Sequence, residues 1–217
     1  MKEDLTEIVA ILDKSSSMNR LTDDTIGGYN TFIEEQKSLP GEAVLTTVLF
    51  NDGYTVLHRR ADIKEVPEIT RKEYSAGGST ALLDALGKTI NEIGAKLADT
   101  ARENRPGKVI FFIITDGEEN SSKEFSQERI KEMVELQTHT YSWEFIFLGA
   151  NIDSFSTAAT LGIQSDHAYN WTATGQGHRN AYRAASRVMR SHRLKEYLDV
   201  DEIRKELENT NEGAEKR

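Results

Sequence analysis

The sequence has no cysteine among its 217 residues. Without cysteine there is no disulfide framework, so the small secreted proteins that depend on one are excluded. The first residues do not combine a basic region, an apolar core and a cleavage site, and no apolar run approaches the ~20 residues of a membrane-spanning helix. We therefore expect a cytoplasmic protein with no membrane partner, and the composition favours a bacterial or phage origin.

Basic residues are fewer than acidic ones: the chain has 27 lysines and arginines and 36 aspartates and glutamates, which gives a formal net charge of -9. This balance argues against a protein whose whole surface binds nucleic acid, although it does not exclude a local basic patch. The sequence also lacks the Gly-x-Gly-x-x-Gly motif of dinucleotide-binding proteins and the Gly-x-x-x-x-Gly-Lys-Ser/Thr loop of nucleotide triphosphatases. Nucleic acid and nucleotides are therefore not the expected partners.

Hydrophobic residues make up 37% of the chain, which is enough for one large core. Apolar runs of strand length alternate with segments of helical period, a pattern typical of a sheet covered by helices on both faces. The pattern predicts strands at residues 7–12, 44–50, 54–58, 108–115, 143–148 and 168–171, and helices at 23–37, 81–98, 126–136, 155–161 and 176–197. The turn Asn51-Asp52-Gly53 makes the second and third strands antiparallel neighbours.

Three polar loops lie at the ends of predicted elements. Asp13-Lys14-Ser15-Ser16-Ser17 follows the first strand, and Thr115-Asp116-Gly117 closes the fourth. Gly77-Gly78-Ser79-Thr80 opens a helix for which Ser79 and Thr80 are candidate caps, with Asp84 in its first turn. Because ligands of open parallel sheets bind at the carboxyl ends of the strands, we expect the three loops to converge there.

The chemistry of the loops favours a metal site. The candidate ligands are Asp13, Ser15, Ser17, Thr80 and Asp116, which all offer hard oxygen atoms suited to Mg²⁺, Mn²⁺ or Ca²⁺. The two carboxylates only neutralise a divalent ion, so an anionic group from a partner could replace a bound water. Each loop alone is more typical of a turn or a cap, but their joint occurrence favours metal binding.

An EF-hand beginning at Asp13 is excluded. Such a loop needs glycine at its sixth position and glutamate at its twelfth, where this chain has Met18 and Asp24. A strand also precedes the loop, whereas an EF-hand loop follows a helix.

The motifs Asp-x-Ser-x-Ser, Gly-Gly-Ser-Thr-x-Leu and Thr-Asp-Gly together resemble the metal-ion-dependent adhesion site of von Willebrand factor A domains, over roughly residues 5–169. The resemblance implies an α/β, doubly wound, Rossmann-like fold: a six-stranded, mostly parallel sheet with one antiparallel edge strand. Residues 1–197 would form this domain, and residues 198–217 a charged tail, partly helical or disordered. Ser16 departs from the family, in which many members have glycine, and this affects the shape of the loop more than its ligands.

The same resemblance implies function. The five candidate residues would hold Mg²⁺, some of them through water, and the ion would recruit an aspartate or glutamate of a partner protein. Intracellular members of the family often act beside AAA+ ATPases or operon neighbours, so we expect a partner of that kind. The predicted function is a metal-dependent protein-binding module that is not an enzyme.

A hydrolase or phosphatase acting at the same metal is the first alternative. Nucleophilic catalysis needs an activating base, and no motif links any of the five histidines to Ser15 or Ser17. Glu118 and Glu119 could act as bases, but we expect them to lie in a solvated loop that adds negative potential near the ion.

A nucleic-acid-binding helix is the second alternative. Arg179, Arg183, Arg187 and Arg190 share one face of the helix predicted at 176–197, beside an apolar face that includes Tyr182. We favour a solvated face on which these arginines pair with some of the surplus acidic residues.

Overall fold

A computed structural model describes residues 1–208 as one six-stranded sheet with helices on both faces. The strands are β1 (Lys2–Asp13), β2 (Glu42–Phe50), β3 (Tyr54–Asp62), β4 (Pro106–Thr115), β5 (Glu144–Gly149) and β6 (Ala168–Asn170). Their order across the sheet is β3-β2-β1-β4-β5-β6, and every neighbouring pair is parallel except β2 and β3. The predicted fold class is therefore confirmed, including its antiparallel edge strand.

Within residues 1–208, six helices cover the sheet. They are α1 (Thr22–Lys37), α2 (Leu82–Ala98), α3 (Gln127–Tyr141), α4 (Ser154–Thr160), α5 (Gly175–Leu194) and α6 (Val200–Glu208). Short 3-10 turns occupy Ser16–Leu21, Ile63–Glu65, Arg102–Asn104 and Ser165–His167. Helices α1, α5 and α6 cover one face of the sheet, and α2, α3 and α4 cover the other.

The central strand β1 is buried on both faces, which explains its continuous apolar run. Ile8, Ala10 and Leu12 point into one hydrophobic cluster, while Val9 and Ile11 point into the other. A strand covered on both sides loses the alternation of polar and apolar residues that marks a half-exposed strand. The Asp13 end of β1 is thereby fixed between two packed layers.

Some element boundaries differ from the sequence prediction. Strand β1 begins five residues early, at Lys2, whose amide donates to the carbonyl of Arg105 at 2.8 Å. Helix α3 runs five residues past its predicted end and α5 stops three residues short, because each ends at a residue in the left-handed conformation, Ser142 (φ 56°) and Lys195 (φ 54°). Backbone hydrogen bonds and such caps leave little trace in a hydropathy pattern.

The segment after residue 197, predicted to be a charged tail that is partly helical or disordered, contains the packed helix α6. Ile203 and Leu207 of this helix are buried in the same cluster as α1 and α5. Arg187 of α5 forms ion pairs with Glu202 and Glu206 on the outer side of α6. The disorder predicted for the end of the tail falls on residues 209–217, which lie outside the described residues.

No helix within residues 1–208 is both long and apolar enough to cross a membrane.

Candidate metal centre

Asp13 is the last residue of β1 and is fully buried. One of its carboxylate oxygens accepts a hydrogen bond from the amide of Ser15 at 2.7 Å, and the other accepts one from the hydroxyl of Thr115 at 2.6 Å. Its backbone carbonyl accepts a third from the hydroxyl of Tyr74 at 2.6 Å. Two segments therefore hold the carboxylate of Asp13, and a third holds its backbone.

Ser15, Ser17 and Asp116 form a continuous chain of contacts. The two serine hydroxyl oxygens lie 3.0 Å apart, and the Ser17 hydroxyl donates to Oδ1 of Asp116 at 2.5 Å. The other oxygen of Asp116 is buried but has no hydrogen-bond partner among the described residues. A buried carboxylate oxygen without a partner is costly unless a ligand satisfies it, so this atom is a candidate ligand.

Thr80 reaches the same cluster from the second loop. Its hydroxyl oxygen and that of Ser17 each lie 3.6 Å from the point that a Cβ atom on Gly117 would occupy. Asn120 holds the Thr80 backbone from both sides, by accepting from its amide at 2.9 Å and donating to its carbonyl at 3.0 Å. The structure thus brings all five predicted side chains to one point at the carboxyl edge of the sheet.

The first and second loops are joined through their backbones. The amide of Ser16 donates to the carbonyl of Gly78 at 2.9 Å, and the amide of Gly77 donates to the carbonyl of Lys14 at 2.7 Å. Ser16 does not adopt a positive φ, so the family's usual glycine is not needed for this loop shape. Gly78 does, with φ +83°, and a Cβ there would lie 2.0 Å from Oδ1 of Asp52.

The electrostatics suit a cation. Burial, helped by the nearby charge of Asp116, raises the pKa of Asp13 to about 6 against the hydrogen bonds from Thr115 and Ser15. Burial also raises the pKa of Asp116, opposed by the Ser17 hydroxyl and the charge of Arg20. Both pKa values are raised because burial removes water from the two carboxylates and so disfavours their charged forms. A divalent cation between them would offset this effect, and the all-oxygen donor set fits such an ion.

The cap of α2 comes from a different loop than predicted. The helix has Ala81 at its N-cap, and neither Ser79 nor Thr80 caps it. Instead, the Glu119 carboxylate accepts from the amide of Leu83 at 2.9 Å, and the hydroxyl of Ser122 accepts from the amide of Asp84 at 3.0 Å. The prediction of capping by Ser79 and Thr80 was wrong because the helix begins at Leu82, with Ala81 as its N-cap, and the Thr80 hydroxyl lies near that of Ser17 instead.

Glu119 is also not the solvated residue that the sequence suggested. It accepts hydrogen bonds from the amides of Ser121 and Ser122 at 2.8 and 2.7 Å, in addition to its contact with α2. Glutamate is not among the residues whose side chains typically bond the nearby backbone, so the sequence offered no specific signal for this role. The contact with α2 depends on tertiary structure alone.

The basic face of α5 is largely neutralised within the chain. Arg179 pairs with Asp24, Arg187 pairs with two glutamates of α6, and Arg190 pairs with Glu196. Three of the four arginines therefore take the role that we favoured from the sequence. Tyr182 on the neighbouring face is buried against α1, where Gly28 lies beside its ring.

The sequence matches no protein-family model and no curated protein. Solved structures are similar in fold. Proximal thread matrix protein 1 from the mussel byssus, with a zinc-occupied MIDAS motif, superposes with a TM-score of 0.59 at 16% identity, covering 88% of this chain and 47% of that one. Manganese-loaded TRAP protein of Plasmodium vivax superposes with a TM-score of 0.56 at 17% identity, covering 82% of this chain and 72% of that one.

The vWF domain of the pilus tip protein Mfa5 from Porphyromonas gingivalis gives a TM-score of 0.58 at 11% identity, covering 89% of this chain and 98% of that domain. This chain spans 47% of the length of the mussel protein. Identities this low show the fold and nothing finer. The chain has the fold of a von Willebrand factor A domain.

Proposed function

We propose that this protein is a metal-dependent protein-interaction module. The observation that carries the proposal is a buried oxygen of Asp116 with no hydrogen-bond partner within residues 1–208, set beside three hydroxyls and a second carboxylate. The residues that would hold the ion are Asp13, Ser15, Ser17, Thr80 and Asp116. Mg²⁺ is the proposed ion because hard oxygen ligands suit it, and Mn²⁺ or Ca²⁺ would suit the same set.

The charge and exposure of the site favour a carboxylate partner. Asp13 and Asp116 neutralise a divalent ion without adding excess negative charge, so the ion stays attractive to an anionic ligand. Ser17 is exposed while the other four residues are buried, which leaves one side of the cluster open to an approaching protein. An aspartate or glutamate of the partner would complete the coordination.

The structures with related folds support the same proposal. One is described with zinc in a MIDAS motif and another as manganese-loaded, so divalent ions bind proteins of this fold. A cytoplasmic location and a partner such as an AAA+ ATPase or an operon neighbour stay predictions from the sequence.

Hydrolysis at the ion is the second candidate, and the contacts of the site favour it less. Within the described residues, none of the hydrogen bonds made by the five site side chains comes from a histidine. Glu119 is occupied with backbone amides and the Ser122 hydroxyl. Among the described residues, the carboxylate that contacts the Ser17 hydroxyl is that of Asp116, which this proposal assigns to the ion. Neither a histidine nor Glu119 is placed there to activate Ser15 or Ser17 as a nucleophile.

The test is a magnesium titration by calorimetry of the wild type, Asp13→Ala and Asp116→Asn. We expect both variants to lose at least tenfold in affinity while their circular dichroism stays unchanged. Asp4→Asn is the matched control, because Asp4 is exposed near the opposite end of β1. Wild-type affinity in Asp116→Asn would refute the assigned site.

The interaction itself is tested by affinity capture with immobilised protein, with and without chelator. Proteins that the wild type retains only with magnesium, and that Asp116→Asn does not retain, support the module. Turnover of generic phosphate or ester substrates that is lost in Asp116→Asn would replace this proposal with the hydrolase.

A further inference from the structure

A second group of ligand-type side chains lies at the other end of the sheet. Glu144 is the first residue of β5, His167 directly precedes β6, and His192 lies in the last turn of α5. Glu144 stands five residues before Gly149, the partner of Thr115 at the metal-site edge, so about 17 Å of strand separates the two ends. This group is therefore independent of the site around Asp13.

The three side chains face one another. Nδ1 of His167 lies 3.6 Å from one carboxylate oxygen of Glu144, and Nδ1 of His192 lies 4.0 Å from the other. One candidate ligand atom from each residue can be chosen so that all three lie within 4.8 Å of one another. The imidazole rings are nearly perpendicular, with their centroids 5.3 Å apart.

These distances are too long for hydrogen bonds and close to those that a shared metal requires. A hydrogen bond between nitrogen and oxygen spans about 2.7–3.2 Å. Two ligands at ~2.0–2.1 Å from a tetrahedral zinc ion are about 3.4 Å apart. Small side-chain shifts would bring all three atoms to that separation, and no hydrogen bond of these three side chains to a described residue would have to break.

The surroundings provide access for an ion. The three residues line a cavity of about 570 Å³ at this edge, together with Asp166. Asp166 is exposed beside the cluster, so it or a water could supply a fourth ligand. Lys108 also lines the cavity, but its ammonium group is engaged by the carbonyl of Arg193.

We propose that Glu144, His167 and His192 form a second divalent-cation site, selective for zinc or an ion of similar preference. Two imidazoles and a carboxylate are a ligand set that suits zinc, whereas the oxygen-only set around Asp13 suits magnesium. The ion would connect β5, the start of β6 and the end of α5. Binding to the folded state alone would stabilise this part of the fold.

The test combines zinc titration with cobalt spectroscopy on the full chain. The wild type, Asp116→Asn, Glu144→Gln and His192→Gln are compared by calorimetry, with His139→Gln as the control because His139 is exposed on α3. The glutamine substitutions are close in size to the native residues, and circular dichroism without metal checks that each variant is folded. Cobalt replaces zinc to give a visible absorption band that is strong only for a tetrahedral site.

We expect one zinc equivalent to survive in Asp116→Asn and to be lost, or weakened at least tenfold, in Glu144→Gln and in His192→Gln. The strong cobalt band should follow the same pattern and stay unchanged in His139→Gln. Unchanged zinc stoichiometry and affinity in the two folded variants at this edge would overturn the proposal, as would a wild type that binds zinc only through Asp116.

Discussion

The hydroxyl of Tyr74 donates a hydrogen bond of 2.6 Å to the backbone carbonyl of Asp13. Tyr74 is fully buried and lies just before the glycine pair of the second loop, so this bond joins the approach to that loop to the end of β1. It orients the residue whose carboxylate is central to the candidate metal centre, although Tyr74 itself offers no ligand.

Tyr74→Phe removes this hydrogen bond and keeps the packing of the ring. The Asp13 carbonyl then loses a buried partner, so the free energy of unfolding should fall by about 1–3 kcal/mol. We also expect magnesium affinity to fall several-fold. Urea unfolding and calorimetry measure the two effects, with Tyr141→Phe as a control because that side chain is 61% exposed. Equal stability of Tyr74→Phe and wild type would contradict the role assigned to this bond.

Gly78→Ala should damage the second loop. Gly78 has φ +83° and its Cβ would collide with the Asp52 carboxylate, so we expect a loss of about 1–3 kcal/mol in the free energy of unfolding. Its carbonyl also accepts from Ser16, so magnesium affinity should fall with stability. Gly77→Ala is the matched control, since a Cβ at that glycine meets nothing within 4 Å. Similar losses in both variants, measured by urea unfolding, would show that neither the strain nor the collision matters.

Glu119→Ala tests the cap that the β4–α3 loop provides to α2. The amide of Leu83 loses its acceptor, and the amides of Ser121 and Ser122 lose theirs. Loss of a helix cap costs about 0.5–2 kcal/mol, and chemical denaturation should show a decrease of that size. Glu118→Ala, at the exposed neighbouring position, should leave stability unchanged. If the two variants were equally stable, Glu119 would be the solvated residue that the sequence first indicated.

Glu7 makes stability depend on pH. Burial raises the pKa of this carboxyl group to about 7, against the opposing effect of its ion pair with Arg60. Between pH 4.5 and 7 the folded chain keeps a proton that the unfolded chain has released. The stabilisation from the protonated form is therefore complete below pH 4.5 and is lost as the pH rises through 7.

Glu7→Gln removes this titration. We expect the free energy of unfolding of the wild type, relative to the variant, to decrease from pH 4.5 to pH 7.5 by an amount on the order of 1–3 kcal/mol. Urea unfolding at a series of pH values measures the difference, and Glu3→Gln serves as the exposed control on the same strand. A difference that grows with pH would reverse the sign and show that the ion pair with Arg60 outweighs burial.

The order of elements could be predicted because its signals are local. The apolar run in β1 and the helical spacing in α2 depend on neighbouring residues, and Asn51-Asp52-Gly53 correctly indicated the hairpin between β2 and β3. The predictions that were wrong concern the ends of strands and helices. The start of β1 depends on a backbone hydrogen bond to Arg105, and the end of α3 depends on the backbone conformation of Ser142, which side-chain hydropathy does not encode.

In the candidate metal centre, too, local features were predicted and long-range contacts were missed. The loops at Asp13, Thr80 and Asp116 were predicted because each follows or opens an element whose end the sequence marks. The groups that orient them were missed: the hydroxyls of Tyr74 and Thr115 reach Asp13 from segments 61 and 102 residues away. Hydrogen bonds at such separations leave no periodic pattern.

The sequence by itself determined the parallel sheet, its antiparallel edge and the three polar loops, because strand burial and turn chemistry are properties of adjacent residues. Only the tertiary structure decided that one oxygen of Asp116 is buried with no partner among the described residues, that Glu119 caps a distant helix, and that Glu144, His167 and His192 meet at the opposite edge. These relationships arise where separate elements pack together, and the distances between their atoms exist only in the folded chain.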